Sequence, residues 1–310
     1  MKVNQTIILV ILFLTSFTVF PQDNNKYKLF EHAGYNFPYQ LAMPDRSWVL
    51  PIALVEISGL SFIDNSRLAC IQDEKGDIYI FNLKTGAVES KIHFNEDSDY
   101  EDIEIIDHDA WVLKSNGTLY KVAGYLNKAI PDVKKYATAL SYKNDTEGLA
   151  YDPVNKNLLI ACKGHPFVDD KKGNDVKAVY IFNLATKRLD LKPFLLIDTD
   201  SIKYYKNYNT MTRFGIELLA AVDPSKGDIT FQPSGIAIQP VTGNIFILGS
   251  VGNLLMVLSG NGKLLAIITL NQKIFPKPEG ICFSPDGKLF IANEGEGKAG
   301  TILKFELKNK

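Results

Sequence analysis

A short phrase recurs along this chain: Ser58-Gly59-Leu60, Glu101-Asp102-Ile103, Glu147-Gly148-Leu149, Ser234-Gly235-Ile236 and Glu279-Gly280-Ile281. Each copy is followed by a short apolar run, a turn and a second apolar run. Self-similarity of this kind belongs to repeat architectures, in which a unit buries its apolar face only against its neighbours. The first set of runs is Leu68 to Ile71, Trp111 to Leu113, Leu158 to Cys162, Ile245 to Leu248 and Leu289 to Ala292. The second set opens on a turn glycine at Gly76, Gly117, Gly252 and Gly300, with Ala178 to Phe182 as its counterpart in the third unit. Short β-branched and aromatic runs bounded by Gly, Asn, Asp and Pro read as hairpin strands. Gly59 to Gly76 and Gly235 to Gly252 are both 17 residues apart, room for two strands and a turn.

A fourth, outer strand follows in several units, at Val88 to Phe94, Phe194 to Ile197 and Leu264 to Leu270. Four antiparallel strands repeated around an axis make a β-propeller, so the chain is expected to be all-β. Five phrases predict five blades. The alternative is six, because Asp198 to Gln232 reads either as helical turns around Arg213 to Ala221 or as a degenerate blade. Lys163 to Lys177 reads as a polar surface excursion. A ring avoids exposed strand edges only when it closes. The last unit ends at Leu307 without an outer strand, and the segment around Tyr39 to Ala42 and Ser47 to Leu50 is predicted to supply it.

The N-terminus sets the compartment. Lys2 precedes an apolar run from Ile7 to Phe20, and the sequence turns polar at Pro21 to Asn25. That pattern predicts a signal peptide over residues 1–22 and a single propeller domain over 23–310, exported to the periplasm or secreted. An uncleaved membrane anchor is the other reading of the same run. Without Lys2, the only charge in residues 1–22, the chain carries 33 Lys and Arg against 35 Asp and Glu, a formal charge of −2. Nothing in that balance points to nucleic acid. Three cysteines cannot all pair; Cys70 and Cys162 lie in strand patterns at what read as equivalent places in their units, so both are expected to be buried thiols.

The ordered set of phrases, extended to Glu56-Ile57-Ser58, Asp99-Tyr100-Glu101-Asp102-Ile103-Glu104, Thr146-Glu147-Gly148-Leu149, Pro233-Ser234-Gly235 and Pro278-Glu279-Gly280, resembles the SdiA-regulated family of bacterial proteins over about residues 37–307. The resemblance implies an exported propeller with a calcium site, distantly similar to NHL-repeat proteins, and no settled activity.

The phrases also carry the candidate chemistry. In a propeller the first strand of a blade is innermost, so Glu101, Glu147 and Glu279 are expected at one mouth of the central channel. Gathered carboxylates repel one another, and a hard divalent cation resolves the repulsion with oxygen ligands. Glu101, Glu147, Glu279 and the adjacent Asp102 are therefore the candidate calcium ligands, with Ser58, Ser234 and Glu294 as candidate ligand contacts at the mouth. The competing reading has the glutamates pairing locally with backbone amides of a neighbouring blade. His32, His93, His108 and His165 occupy unrelated positions, which argues against zinc.

The expected function is that of an exported calcium-binding propeller presenting its mouth to a ligand or partner protein. The alternative is a divalent-metal-dependent hydrolase similar to lactonases or phytases, with Asp102 or Glu104 as base. No convergent His or Lys is legible beside the phrases to support the second reading.

Overall fold

The computed structural model describes residues 27–127, 130–169, 176–199 and 231–308. Two N-terminal strands, β1 (Lys28–Glu31) and β2 (Arg46–Val49), precede the repeats. The first unit holds β3 (Ile57–Asp64), β4 (Arg67–Gln72), β5 (Asp77–Asn82) and β6 (Ala87–His93). The second holds β7 (Tyr100–Ile106), β8 (Asp109–Lys114), β9 (Leu119–Ala123) and β10 (Asp132–Tyr136). The third holds β11 (Thr146–Asp152), β12 (Asn157–Cys162) and β13 (Val176–Asn183), whose outer edge is shared by β14 (Arg188–Leu189) and β15 (Leu195–Asp198). The fourth holds β16 (Gln232–Ile238), β17 (Ile245–Val251), β18 (Leu254–Leu258) and β19 (Leu264–Thr269). The fifth holds β20 (Pro278–Phe283), β21 (Leu289–Asn293) and β22 (Thr301–Phe305).

Each unit is an antiparallel meander, and each is one blade of a propeller. Middle strands such as β18 and β21 are buried throughout, which is why they read as unbroken apolar runs. The outer strands β6 and β10 are mostly exposed and carry the charges.

The cores lie between blades, not within them. Ile71 and Ile80 meet Ile103 and Val112; Leu113 meets Leu149 and Ile160. Leu159 and Val179 meet Ile236 and Ile247, while Phe246 and Leu248 meet Ile281 and Ile291. Phe290 and Ala292 then meet Leu60 and Phe81 and close the circle. The third and fourth blades share a core directly, so no sixth blade stands between them. Five is the blade count, and the six-bladed alternative falls. The helical or degenerate-blade reading around Arg213 to Ala221 lies outside the described residues, as does the predicted signal peptide.

Closure follows the expected route. β2 pairs with β22, matching Trp48 with Ile302, and becomes the outer strand of the fifth blade. Trp48 packs against Phe81 and Phe290, and its Nε1 donates to the Leu83 carbonyl at 3.0 Å. Tyr39 to Ala42, expected to share this role, is not a strand. Tyr39 is instead fully buried between the fourth and fifth blades, where its hydroxyl donates to the Gly287 carbonyl at 2.7 Å. A phenol so buried needs a hydrogen-bond partner, and the Gly287 carbonyl supplies it. The sequence also left β1 unread; it adds a fifth strand to the fourth blade beside β19.

The cysteines need one correction. Cys70, Cys162 and Cys282 are all buried and free, as thiols in apolar strands should be. Cys70 faces Leu60, one residue past the phrase glycine, whereas Cys162 faces Thr146, before it. The two are therefore offset by two residues, on the same face of their strands but at different depths. Counting along apolar runs misses this, because only strand pairing defines the register.

Candidate functional site at the channel mouth

In all five inner strands the antiparallel register slips at the same point: between Ile57 and Gly59, Tyr100 and Asp102, Thr146 and Gly148, Pro233 and Gly235, and Pro278 and Gly280. The extra residue at each slip is Ser58, Glu101, Glu147, Ser234 or Glu279. A β-bulge of this kind bends its strand and re-aims one side chain. The repeated phrase is thus a bulge residue followed by the residue that touches the next blade. In four of the five blades that residue is glycine, and a Cβ on Gly235 would lie 2.6 Å from the Glu279 carbonyl oxygen. All five bulge residues are buried, none more than 9% exposed.

Two bulge serines serve as staples between blades. Ser58 Oγ donates to the Tyr100 carbonyl at 2.9 Å, and Ser234 Oγ donates to the Pro278 carbonyl at 2.8 Å. Asp102, a proposed ligand, is fully engaged as well: Oδ1 accepts from the Ile103 amide at 2.8 Å and Oδ2 from the Leu149 amide at 2.7 Å. Glu104 lies deeper along the same strand, where it accepts from the Tyr151 amide at 3.1 Å and the Ser61 hydroxyl at 2.9 Å. Asp102 and Glu104 thus bond amides of the neighbouring blade, the pairing that the competing reading expects of Glu147 and Glu279.

A second tier of side chains lies at the end of each second strand, two residues past the partner of the phrase's middle residue. Its members are Asp73, Ser115, Lys163, Ser250 and Glu294. Lys163 Nζ lies 2.6 Å from Glu147 Oε1 and 3.9 Å from Asp145 Oδ2. Lys277, just before the fifth phrase, bonds to Glu294 and lies 3.8 Å from Glu279 Oε1. Neither lysine was read from the sequence as part of the mouth. The sequence reading assigns Lys163 to a surface excursion, yet it follows the end of its second strand as Glu294 does in the last blade. Aligning the second-strand ends would have found it. On the acidic side, Asp73 Oδ1 and Ser115 Oγ are buried without a hydrogen-bond partner among the described residues.

These carboxyls sit where water is scarce. Burial, then Glu147 and Asp99, pushes the Glu101 carboxyl up to about 10, and Asp99 also hydrogen-bonds to it. Burial and the field of Glu147 push Glu279 up to about 8. Glu147 is raised by burial but held back by Lys163. Burial would draw the Lys163 ammonium down, yet Glu147 and Asp145 hold it above the usual lysine range. Burial and Glu56 raise Asp73 to about 6. The mouth thus holds a proton on Glu101 at neutral pH and an ion pair at Glu147, two carboxyls in different states by virtue of their neighbours.

The sequence profile of the SdiA-regulated family matches residues 39–297. The chain belongs to the SdiA-regulated family. No curated protein matches it in sequence. Among solved structures it is similar to a PQQ-bound aldose sugar dehydrogenase from Streptomyces coelicolor, at 12% identity and a TM-score of 0.51, over 86% of this chain and 98% of that one. It is also similar to a putative glucose dehydrogenase from Thermus thermophilus, at 12% identity and a TM-score of 0.48, over 84% of this chain and 99% of that one. A gluconolactonase from Xanthomonas campestris aligns at 12% identity and a TM-score of 0.46, over 81% of this chain and 72% of that one. At such identity the likeness is one of fold alone.

Membership in the SdiA-regulated family brings the calcium expectation to a test of fit. Calcium takes six to eight oxygens at roughly 2.3–2.6 Å. Among the described residues no group of three or more His, Cys, Asp or Glu side chains is arranged to hold a metal ion. Glu147 meets an ammonium, and Asp102 is committed to backbone amides. In this arrangement the residues do not fit a calcium ion.

Proposed function

We propose that this SdiA-regulated propeller is an exported binding protein whose channel mouth takes a polar ligand or a segment of a partner protein, without chemistry of its own. One observation carries the reading. The five aligned bulges carry three buried carboxyls and two serines that staple neighbouring blades, and Lys163 and Lys277 stand beside the carboxyls. Aligned bulges of this kind serve to aim side chains rather than to extend the sheet. A neutral Glu101, an ion-paired Glu147 and two ammonium groups offer donors and acceptors side by side, which suits a hydroxyl-rich ligand. The exported location rests on the apolar run from Ile7 to Phe20.

The test is calorimetric titration of purified residues 23–310 with sugar acids, sugar lactones and inorganic phosphate, beside a Glu101→Gln/Glu279→Gln variant. Binding by the parent and a loss of at least about tenfold in the variant, some 1.4 kcal/mol, supports the mouth as the site. Equal binding by both proteins removes it. Mass analysis of the exported chain checks the cleavage near residue 22.

A second reading, hydrolysis, gains support from the two lysines, whose apparent absence had counted against it. Without a fitting metal, a lactone would have to be polarised by an ammonium at the mouth. Continuous assay of lactone opening in the same titration series decides this, with turnover absent under the binding reading.

A further inference from the structure

Among the bulge glutamates it is Glu147 that meets a cation directly, at 2.6 Å, and Lys163 supplies it. In the tier formed by Asp73, Ser115, Lys163, Ser250 and Glu294, Lys163 is the single cation. Its Nζ contacts Glu147 Oε1 at 2.6 Å and stands 3.9 Å from Asp145 Oδ2. Its field also reaches Glu101 and Glu279, so one ammonium acts on all three bulge glutamates. The backbone that delivers it is pinned. The Lys163 amide donates to the Asp145 carbonyl at 2.8 Å, and the Lys177 ammonium donates to the Lys163 carbonyl. With the side chain about one-third exposed, the ammonium is not cut off from water.

We propose that the Lys163 ammonium is the built-in counter-cation of this mouth, taking the place that a divalent ion would hold among Glu101, Glu147 and Glu279 and excluding calcium from it. An ammonium 2.6 Å from Glu147 Oε1 already takes up one of that oxygen's lone pairs, and a divalent cation brought beside it would be repelled strongly. The ammonium arrives tethered and bears three donors, so it binds without the six or more oxygens that calcium demands. This inference goes beyond the binding reading. Its failure would leave a ligand site at the mouth intact, and the failure of that site would leave Lys163 where it is.

The experiment is calcium titration by calorimetry, with melting temperatures in EGTA and in millimolar calcium, on wild type, Lys163→Met and Lys163→Arg. Wild type and Lys163→Arg are expected to show neither heat nor a shift in melting. Lys163→Met is expected to bind calcium at least about tenfold more tightly and to melt higher in its presence, because Glu147 then lacks its cation. Adding Glu147→Gln to Lys163→Met should abolish the gain. Should Lys163→Met fail to fold, Lys163→Gln carries the same comparison, since its amide still reaches Glu147 as a neutral donor. Calcium binding by wild type that Glu147→Gln removes would overturn the proposal. So would a charge-free variant that folds and gains no calcium affinity.

Discussion

Asp102 stands where four of the five inner strands have glycine, and its Oδ2 accepts a 2.7 Å hydrogen bond from the Leu149 amide of the next blade. The carboxyl is fully buried, and burial raises it well above the usual aspartate range. Two backbone amides, of Ile103 and Leu149, are satisfied by one side chain, which therefore belongs to the ring and not to a ligand. Asp102→Gly would make the second blade like the others, yet leave the Leu149 amide without a partner. The expected cost is about 1–3 kcal/mol, read as a lower urea midpoint at unchanged slope. A neutral result would mean that water replaces the carboxyl.

Close approach of inner strands is the second lever. A Cβ on Gly235 would meet the Glu279 carbonyl oxygen at 2.6 Å, a backbone atom that cannot rotate away. Gly235→Ala is expected to destabilise by about 3 kcal/mol or more and to disturb the mouth beside Glu279. Gly243→Ala, where a Cβ would meet nothing within 4 Å but φ is +70°, should cost only about 1 kcal/mol of backbone strain.

Ring closure can be tested at Trp48. The indole fills the core between the fifth and first blades and bonds to Leu83 across it. Trp48→Ala is expected to cost about 3–5 kcal/mol. Because the same strand pairs with β22, the loss should appear in one cooperative transition. Separate transitions in circular dichroism and in the fluorescence of the remaining Trp111 would show that the last blade melts alone.

Glu104 gives a pH dependence with a defined sign. Burial raises its carboxyl from an ordinary 4.5 to about 7. The folded protein therefore holds a proton that the unfolded chain has already released between those values. Its contribution to stability is complete below about pH 4.5 and is lost as pH rises through 7. Glu279, raised to about 8, extends the decline upward. Melting temperature should fall from pH 5 to 8, and Glu104→Gln should flatten the part below pH 7, since a side-chain amide can accept from Tyr151 and donate to Ser61. A wild-type protein that gains stability over this range would overturn the assignment.

Much of the site was legible because the bulge is a local, repeated event. Ser58, Glu101, Glu147, Ser234 and Glu279 share one sequence context, so one geometry applied to all of them. Glu294 was legible by the same logic at the ends of second strands. The ion pairs of Lys163 and Lys277 were not, because a charge pair depends on where a long side chain turns beyond the end of its strand. Lys163 lies 16 residues from Glu147 and meets it only across the β11–β12 hairpin. The roles of Asp102 and Glu104 were hidden for a related reason: their amide partners, Leu149 and Tyr151, belong to another blade.

By itself, the order of residues determined that this chain forms a ring of antiparallel blades, that there are five phrases to seed them, and that an N-terminal strand closes the last. Those properties follow from strand period, turn glycines and the need to leave no edge unpaired. Tertiary structure alone decided which side of that ring each charge serves. Only when the blades meet does Asp102 find the Leu149 amide, Tyr39 fill the core between the fourth and fifth blades, and Lys163 settle on Glu147. Coulomb and hydrogen-bond energies depend on distances across the ring, and the chain acquires those distances only when the ring is closed.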